Sequence, residues 1–588
     1  MKKKKRGKHS PSSRQEEKER PARSFDDLFN AATDRLSAGI GSSSLIHNPK
    51  VLFPIVFLII LSFAVLLPFV GKAYHIDDPL FIWAAKQIRN LPLDPYGFQV
   101  NWYGTEQPMW QVTKNPPLVS YYLAVASFLT GWSEVGIHLA MIIFAAIAII
   151  GIYNLSRRFC LRPLEATLAS LLTPVFLVSS TTVMCDIAML SFWVWAVVFW
   201  MEGMEKNKPA LLTISACLIA AAALTKYYGA ALIPLLFAYS LMRERTLGWW
   251  MIFFLIPIGV LAAYEWSTWL IYGHGLLREA LVYPTTEGAY DNKWVTAVVG
   301  LAFTGGCLLT AFFYIFFLWD KKGYILLGGF CLVVMFLFSG FKNVGIWTIP
   351  GQGYLRWPFV IQFSLFVSLG FGILALTVLD FWTRRDEKAL LLFLWIFGTF
   401  VFTAFVNWTI NARSILPMVP AVGILLMRRI EMYFPLKRKW NSATALIPAL
   451  VVAALVTWAD YSMANVGKSA AHIIKEKYSS RMESVWFQGH WGFQYYMELL
   501  GAKPVGFEKS TIGVGEIVVI PLKENQTNIR YVNPKLFGMD NEVKLQPFPW
   551  ITVMQKKLGA GFYSDLWGPC PFLFGTVPSE RYEIWSRR

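Results

Sequence analysis

What most constrains this chain is a succession of apolar runs, each of the order needed to cross the ~30 Å hydrocarbon core of a bilayer as helix. They lie near 51–70, 136–154, 164–180, 187–202, 210–225, 228–242, 248–272, 294–318, 323–339, 359–380, 389–406, 414–427 and 442–459. A backbone inside hydrocarbon must satisfy its own hydrogen bonds, so such runs dictate helices. The expectation is a polytopic α-helical membrane protein with about thirteen transmembrane helices. With 55% hydrophobic and 15% charged residues among 588, an ordinary soluble globule is excluded.

Charge sets the sidedness. The net charge of +17 could point to nucleic acid, but the basic residues gather in an N-terminal tail and in short loops between apolar runs. Topology accounts for that distribution, and no nucleic-acid partner is expected. Residues 1–49, opening Met1-Lys2-Lys3-Lys4-Lys5-Arg6, are too polar to fold alone and read as a disordered basic cytoplasmic tail. The segment 117–130 is apolar but short for a span. If it lies along the outer interface, every alternate loop is basic: Arg157-Arg158 with Arg162, Lys206 with Lys208, Arg243 with Arg245, Lys321-Lys322, Arg384-Arg385, and Arg428-Arg429 with Lys437-Arg438-Lys439. These six go to the cytoplasm.

The first outer loop is then 71–135 within a transmembrane domain of 50–459, and residues 460–588 form a separate domain on the outer face. Residues 484–488 read as a strand, Gly489 as a turn, 491–500 as a helix capped by Gly501, and 515–521 as a second strand. That alternation predicts a small C-terminal α/β domain. Six scattered cysteines without a Cys-x-x-Cys pair suggest neither a disulfide framework nor a zinc site.

By this parity Asp77, Asp78, Lys114, Asp186, Lys226, Arg356 and Arg413 all stand at the outer ends of apolar runs. Each alone reads as a solvated loop residue or a side chain snorkelling from a helix end. Together they predict one mixed cavity in which carboxylates suited to proton abstraction lie beside cations suited to a phosphate. Gly351-Gln352-Gly353-Tyr354-Leu355-Arg356-Trp357 adds an Arg between aromatics on a flexible loop.

The order of these features resembles the GT-C membrane glycosyltransferases, and within them the bacterial branch of aminoarabinose (lipid A) transferases and protein O-mannosyltransferases. Asp77-Asp78 stands where that family usually has Asp-Glu at the end of the first helix. Asn115-Pro116-Pro117-Leu118 stands where it often has Lys-Pro-Pro-Leu. Asp186, the Thr225-Lys226 step, and Arg413 with Pro417 and Pro420 follow in the family's order. Lys114-Asn115 departs from the Glu-Lys step of the lipid A branch, so no metal is expected there, and no cofactor.

The resemblance implies a GT-C type fold and transfer of one sugar, hexose or pentose, from a polyprenyl-phosphate donor. The acceptor would be a hydroxyl on a glycolipid, glycan or protein at the outer face of the bacterial inner membrane, with inversion at the anomeric carbon. The N-terminus would be cytoplasmic and the C-terminal domain periplasmic. Asp77 and Asp78 are the candidate catalytic acids. Lys114, Asn115, Asp186, Lys226, Arg356 and Arg413 are candidates for substrate binding, with Lys226, Arg356 and Arg413 neutralising the departing lipid phosphate. Membrane lipids are the remaining expected partners. A lipid-linked sugar flippase or other transporter is the second reading; ionisable residues at the outer ends rather than at the midplane disfavour it.

Overall fold

The computed structural model describes residues 49–287, 292–341, 343–344, 347–348, 357–433, 443–522 and 529–588. The N-terminal tail and Arg356 with its glycine-rich loop lie outside the described residues.

Among the described residues eight helices are long and apolar enough to cross a membrane: Leu52–Phe69, Glu134–Phe159, Asp186–Lys206, Trp249–Tyr272, Lys321–Gly340, Trp357–Arg384, Glu387–Val406 and Thr444–Lys477. A ninth arises if Pro163–Leu171 and Pro174–Ser180, bent by 65°, form one span. The break falls at Thr173, whose side chain accepts from Phe176 N at 3.3 Å and so starts a new helix at Pro174.

The expected thirteen full spans are therefore not all realised as long helices. Pro209–Thr225 and Leu232–Glu244 are short. The run at 294–318 divides into Lys293–Cys307, Thr310–Phe313 and Ile315–Leu318. The run at 414–427 divides into Ala412–Ile415, Leu416–Met418 and Val419–Tyr433, where Pro417 and Pro420 remove N–H donors from the helix ladder.

The basic loops meet at one end of the bundle. Arg158 pairs with Glu202 at 3.0 Å, Arg243 with Glu387 at 3.9 Å and Arg428 with Asp380 at 2.9 Å. Glu431 accepts from Leu161 N and Arg162 N at 2.7 and 2.9 Å, and Arg429 Nε donates to Leu318 O at 3.0 Å. Helix Leu118–Thr130 is only about 20 Å long at ~1.5 Å per residue. It starts beside Asn115, which accepts from Cys185 Sγ at 3.7 Å, and ends near Trp132, whose carbonyl accepts from Tyr74 OH at 3.1 Å. Both its termini thus lie at the end opposite the basic loops.

Helix Ala443–Lys477 runs without a break from the bundle into the C-terminal part, so the expected boundary at 459/460 falls inside one continuous helix. A five-stranded sheet follows, in the order Lys503–Pro504, Val485–Phe487, Ile517–Pro521, Glu580–Arg587, Phe537–Leu545. The first three strands are parallel, with helix Trp491–Leu499 as crossover, and the last two pair antiparallel. Ile517–Pro521 is buried throughout, as expected of an apolar strand covered on both faces.

This domain docks on the first polar loop. Tyr74 N donates to Tyr496 OH at 2.9 Å, and that hydroxyl donates to Glu134 at 2.9 Å. At Gly492 a Cβ would meet the Tyr74 carbonyl oxygen at 2.0 Å, a backbone atom with no side-chain freedom to yield. Gly492→Ala is expected to cost about 1–3 kcal/mol through this overpacking. A lower melting temperature with faster proteolysis of the C-terminal part would register it; an unchanged melt would show the contact to be loose.

Candidate active site

Asp77 owes its position to a tight turn. Ile76, buried and β-branched, has φ 49°, a left-handed conformation that costs roughly 1–3 kcal/mol and persists only where the surroundings enforce it. The enforcement comes from Asp78. Its amide donates to His75 O at 3.0 Å, and its carboxylate accepts from His75 N at 2.9 Å and from Val183 N at 2.8 Å. Asp78 is fully buried, with both oxygens committed to backbone amides, and it does not line the cavity that Asp77 faces.

That cavity, of about 610 Å³, is lined by Asp77, Lys114, Asn115, Lys226 and Arg413 among others. Five expected residues, from four separate stretches of sequence, therefore line one cavity. Asp77 is the one carboxylate among the lining residues. It accepts from Arg413 Nη2 at 3.2 Å, and Arg413 Nη1 lies 3.8 Å from Asp186 Oδ2. Lys226 Nζ donates to Asp186 Oδ1 at 2.6 Å. The side chains of Asp77, Lys226 and Arg413 are 29, 19 and 14% exposed and reach the cavity, whereas Asp186, at 1%, lies behind the two cations as a clamp.

Local structure prepares each of these positions. Asp186 begins a 21-residue helix, where the dipole favours an anion, and Lys226 caps the C-terminus of Pro209–Thr225, where it favours a cation. Arg413 sits in a short turn capped by Asn411, whose side chain accepts from Ser414 N at 2.9 Å. Lys114 lies further out, 3.5 Å from Glu279 and with Nζ 5.4 Å from the Tyr283 ring centroid. Asn115 is fixed through its carbonyl, which accepts from Tyr96 OH at 2.8 Å. Away from the charges the wall turns aromatic and apolar, with Trp193 stacked on Tyr228 at 5.4 Å and Tyr228 4.2 Å from Phe402.

One part of this region has no counterpart in the sequence reading. Lys72 and Asp460, both fully buried, form a close ion pair, and Tyr563 OH donates to Asp460 Oδ1 at 2.8 Å. An acid in the apolar context Trp458-Ala459-Asp460 is the signal that points to a buried partner; Tyr563 carries none. Among the described residues no three His, Cys, Asp or Glu side chains gather as a metal site would need.

Burial pushes the Asp78 carboxyl from 3.8 up to about 7, against the opposing pull of Lys72 and of its two backbone donors. The folded state then binds more protons than the unfolded one between those values, so this contribution is present below pH ~4 and is lost as pH rises through ~7. Asp78→Asn is expected to flatten the fall in melting temperature across that window. It also lowers stability at acid pH, because one backbone donor then faces an amide NH₂. An unaltered slope would place the titration elsewhere, Glu498 being another carboxyl that burial pushes to about 7.

Residues 114–272 match the family profile described as dolichyl-phosphate-mannose-protein mannosyltransferase. Over this stretch the chain is similar to the GT-C membrane glycosyltransferases. The GT-C match includes Lys114, Asn115, Asp186 and Lys226, and stops short of Asp77 and Arg413 on either side. No curated protein matches the chain. Among solved structures, ArnT from Cupriavidus metallidurans bound to undecaprenyl phosphate is similar at 13% identity and a TM-score of 0.44, covering 80% of this chain and 93% of that one. The apo state of the same protein is similar at 13% identity and 0.41, covering 79 and 92%. The chain is thus a multi-pass membrane protein in which one stretch, 114–272, is similar to a mannosyltransferase family.

Proposed function

We propose that this protein transfers one sugar from a polyprenyl-phosphate carrier to a hydroxyl of a glycolipid, glycan or protein, with inversion at the anomeric carbon. The observation that carries the reading is the cavity itself: a charged end holding Asp77, Lys226 and Arg413 continues into an aromatic and apolar wall. A ligand matching it has an anionic head and a hydrocarbon tail.

Asp77 is the general base for the acceptor hydroxyl. Its pairing with Arg413 keeps it oriented. Lys226 and Arg413 donate to the departing phosphate, through hydrogen bonds that strengthen as negative charge develops there. A lipid phosphate is already a good leaving group, so charge neutralisation serves where an acid is not needed. A double displacement would require a second carboxylate at the cavity to act as nucleophile. Asp77 stands alone among the lining residues, and Asp186 is buried against Lys226, which favours a single displacement. Lys114 and Asn115 hold the substrate at the rim, and Asp78 acts through the turn that aims Asp77. We place the cavity on the outer leaflet of the bacterial inner membrane, with the N-terminus in the cytoplasm and the C-terminal domain in the periplasm.

The test is turnover by the full chain in lipid nanodiscs, supplied with a labelled polyprenyl-phosphate sugar and an extract of surface glycolipids and glycans. Labelled product with stoichiometric free polyprenyl phosphate is expected. Carrier that crosses the bilayer of sealed vesicles with its sugar still attached would instead identify a flippase and overturn the reading.

A further inference from the structure

We propose that Tyr563, supplied by the C-terminal domain, is a positioning residue for Arg413, which makes that domain part of the wall behind the transfer site. The proposal rests on the role given above to Asp77 and Arg413 and extends it to a residue of the C-terminal domain, 150 positions after Arg413.

Three contacts meet at this ring. The Arg413 guanidinium carbon lies 5.7 Å from its centroid. His75, from the turn that carries Asp77, meets it edge-on at 5.7 Å. Its hydroxyl donates to Asp460, which the buried Lys72 holds in turn. The ring is therefore fixed at its far end, and it packs both against the turn that carries Asp77 and against the guanidinium that pairs with Asp77.

The backbone agrees with the side chains. Ala412 N donates to Phe562 O at 2.8 Å, and Asp565 N donates to Ile410 O at 2.8 Å. The stretch that ends in Arg413 is thus paired at Phe562 and at Asp565, on either side of Tyr563. Phe562 N donates in turn to Val553 O at 2.7 Å, within the C-terminal domain. Among the described residues Arg413 Nε has no hydrogen-bond partner, so the guanidinium is held by Asp77, Asp186, the Met184 sulfur at 2.6 Å from Nη1, and the aromatic face. Without the ring, Arg413 is free to rotate toward the better-buried Asp186 and away from Asp77, while the carboxylates that bind it remain in place.

The experiment compares full-length wild type, Tyr563→Leu and Tyr563→Phe in nanodiscs. It measures kcat and KM for the labelled donor, and amide hydrogen exchange over 407–415 with helix Glu134–Phe159 as reference. Tyr563→Leu is expected to lower kcat about tenfold or more, the scale of a desolvated cation–π contact, with KM changed less than about threefold. Exchange over 407–415 should accelerate while the reference helix stays protected. Tyr563→Phe keeps the ring and should restore kcat to within about threefold of wild type. Wild-type kcat in Tyr563→Leu overturns the proposal, as does loss of protection throughout the molecule, which would mark a purely structural role. If the wild type itself transfers no sugar, the functional reading has failed, and exchange over 407–415 alone judges the contact: acceleration supports it and unchanged protection overturns it.

Discussion

Asp77→Asn is expected to lower the turnover number by about 10²–10⁴-fold, the range a positioned general base supplies, while leaving the protein folded. The substitution keeps the shape and one oxygen able to accept from Arg413 Nη2, now 3.2 Å from the carboxylate. It removes the negative charge that takes up a proton. The stability cost should be small, because Asp77 is 29% exposed and a partly solvated ion pair is worth roughly 0–1 kcal/mol. KM for the donor should move little, since Lys226 and Arg413 remain to hold the phosphate. Single-turnover measurements with labelled donor separate these effects, and they should show the loss in the chemical step. Turnover within threefold of wild type would remove Asp77 from the mechanism and leave the single lining carboxylate without a role.

Much of this site was legible because membrane topology compresses the problem. Once the basic loops are assigned to one side, each charged residue at the other end of an apolar run becomes a neighbour of the rest. Asp77, Lys114, Asn115, Lys226 and Arg413 indeed line one cavity. The same logic could not separate Asp77 from Asp78. Which of two adjacent acids faces the cavity is decided by the left-handed backbone at Ile76 and by amide donors from His75 and Val183, the latter 105 positions away. Asp186 was located but its place was not, since a short connection says nothing of whether a side chain stands at a surface or behind it.

How each apolar run is divided was not legible for a related reason. Hydropathy registers an apolar stretch such as 414–427 but not its division at Pro417 and Pro420 into three pieces packed inside the bundle. The C-terminal strands and helix were legible from local pattern and from Gly501, whose φ of 94° suits a helix cap. Their attachment to the bundle was not, because no periodicity encodes Tyr74 beneath Gly492 or Tyr563 beneath Arg413.

Asp460→Asn is expected to destabilise the protein by about 3–5 kcal/mol, the cost of leaving one partner of a buried ion pair uncompensated. Lys72 and Asp460 are both fully buried, so neither charge has water to fall back on when the other is removed. The pair joins residues 388 positions apart, one just past the first span and the other in the last long helix. The loss should therefore appear as a lower melting temperature and as early release of the C-terminal part in limited proteolysis. The decisive measurement is the compensated variant. Lys72→Met with Asp460→Leu removes both charges, and adding Tyr563→Phe removes the hydroxyl that would otherwise lose its acceptor, a further cost of about 1–3 kcal/mol. If the single substitution fails because a charge is stranded, the triple variant should recover most of the lost stability despite carrying three changes instead of one. If Asp460 serves instead as a specific packing or hydrogen-bonding post, the triple variant should melt as low as Asp460→Asn or lower. Recovery of stability in the triple variant would assign the pair to fixing how the last helix meets the first loop rather than to net stability, since apolar side chains of similar size would then hold the fold as well.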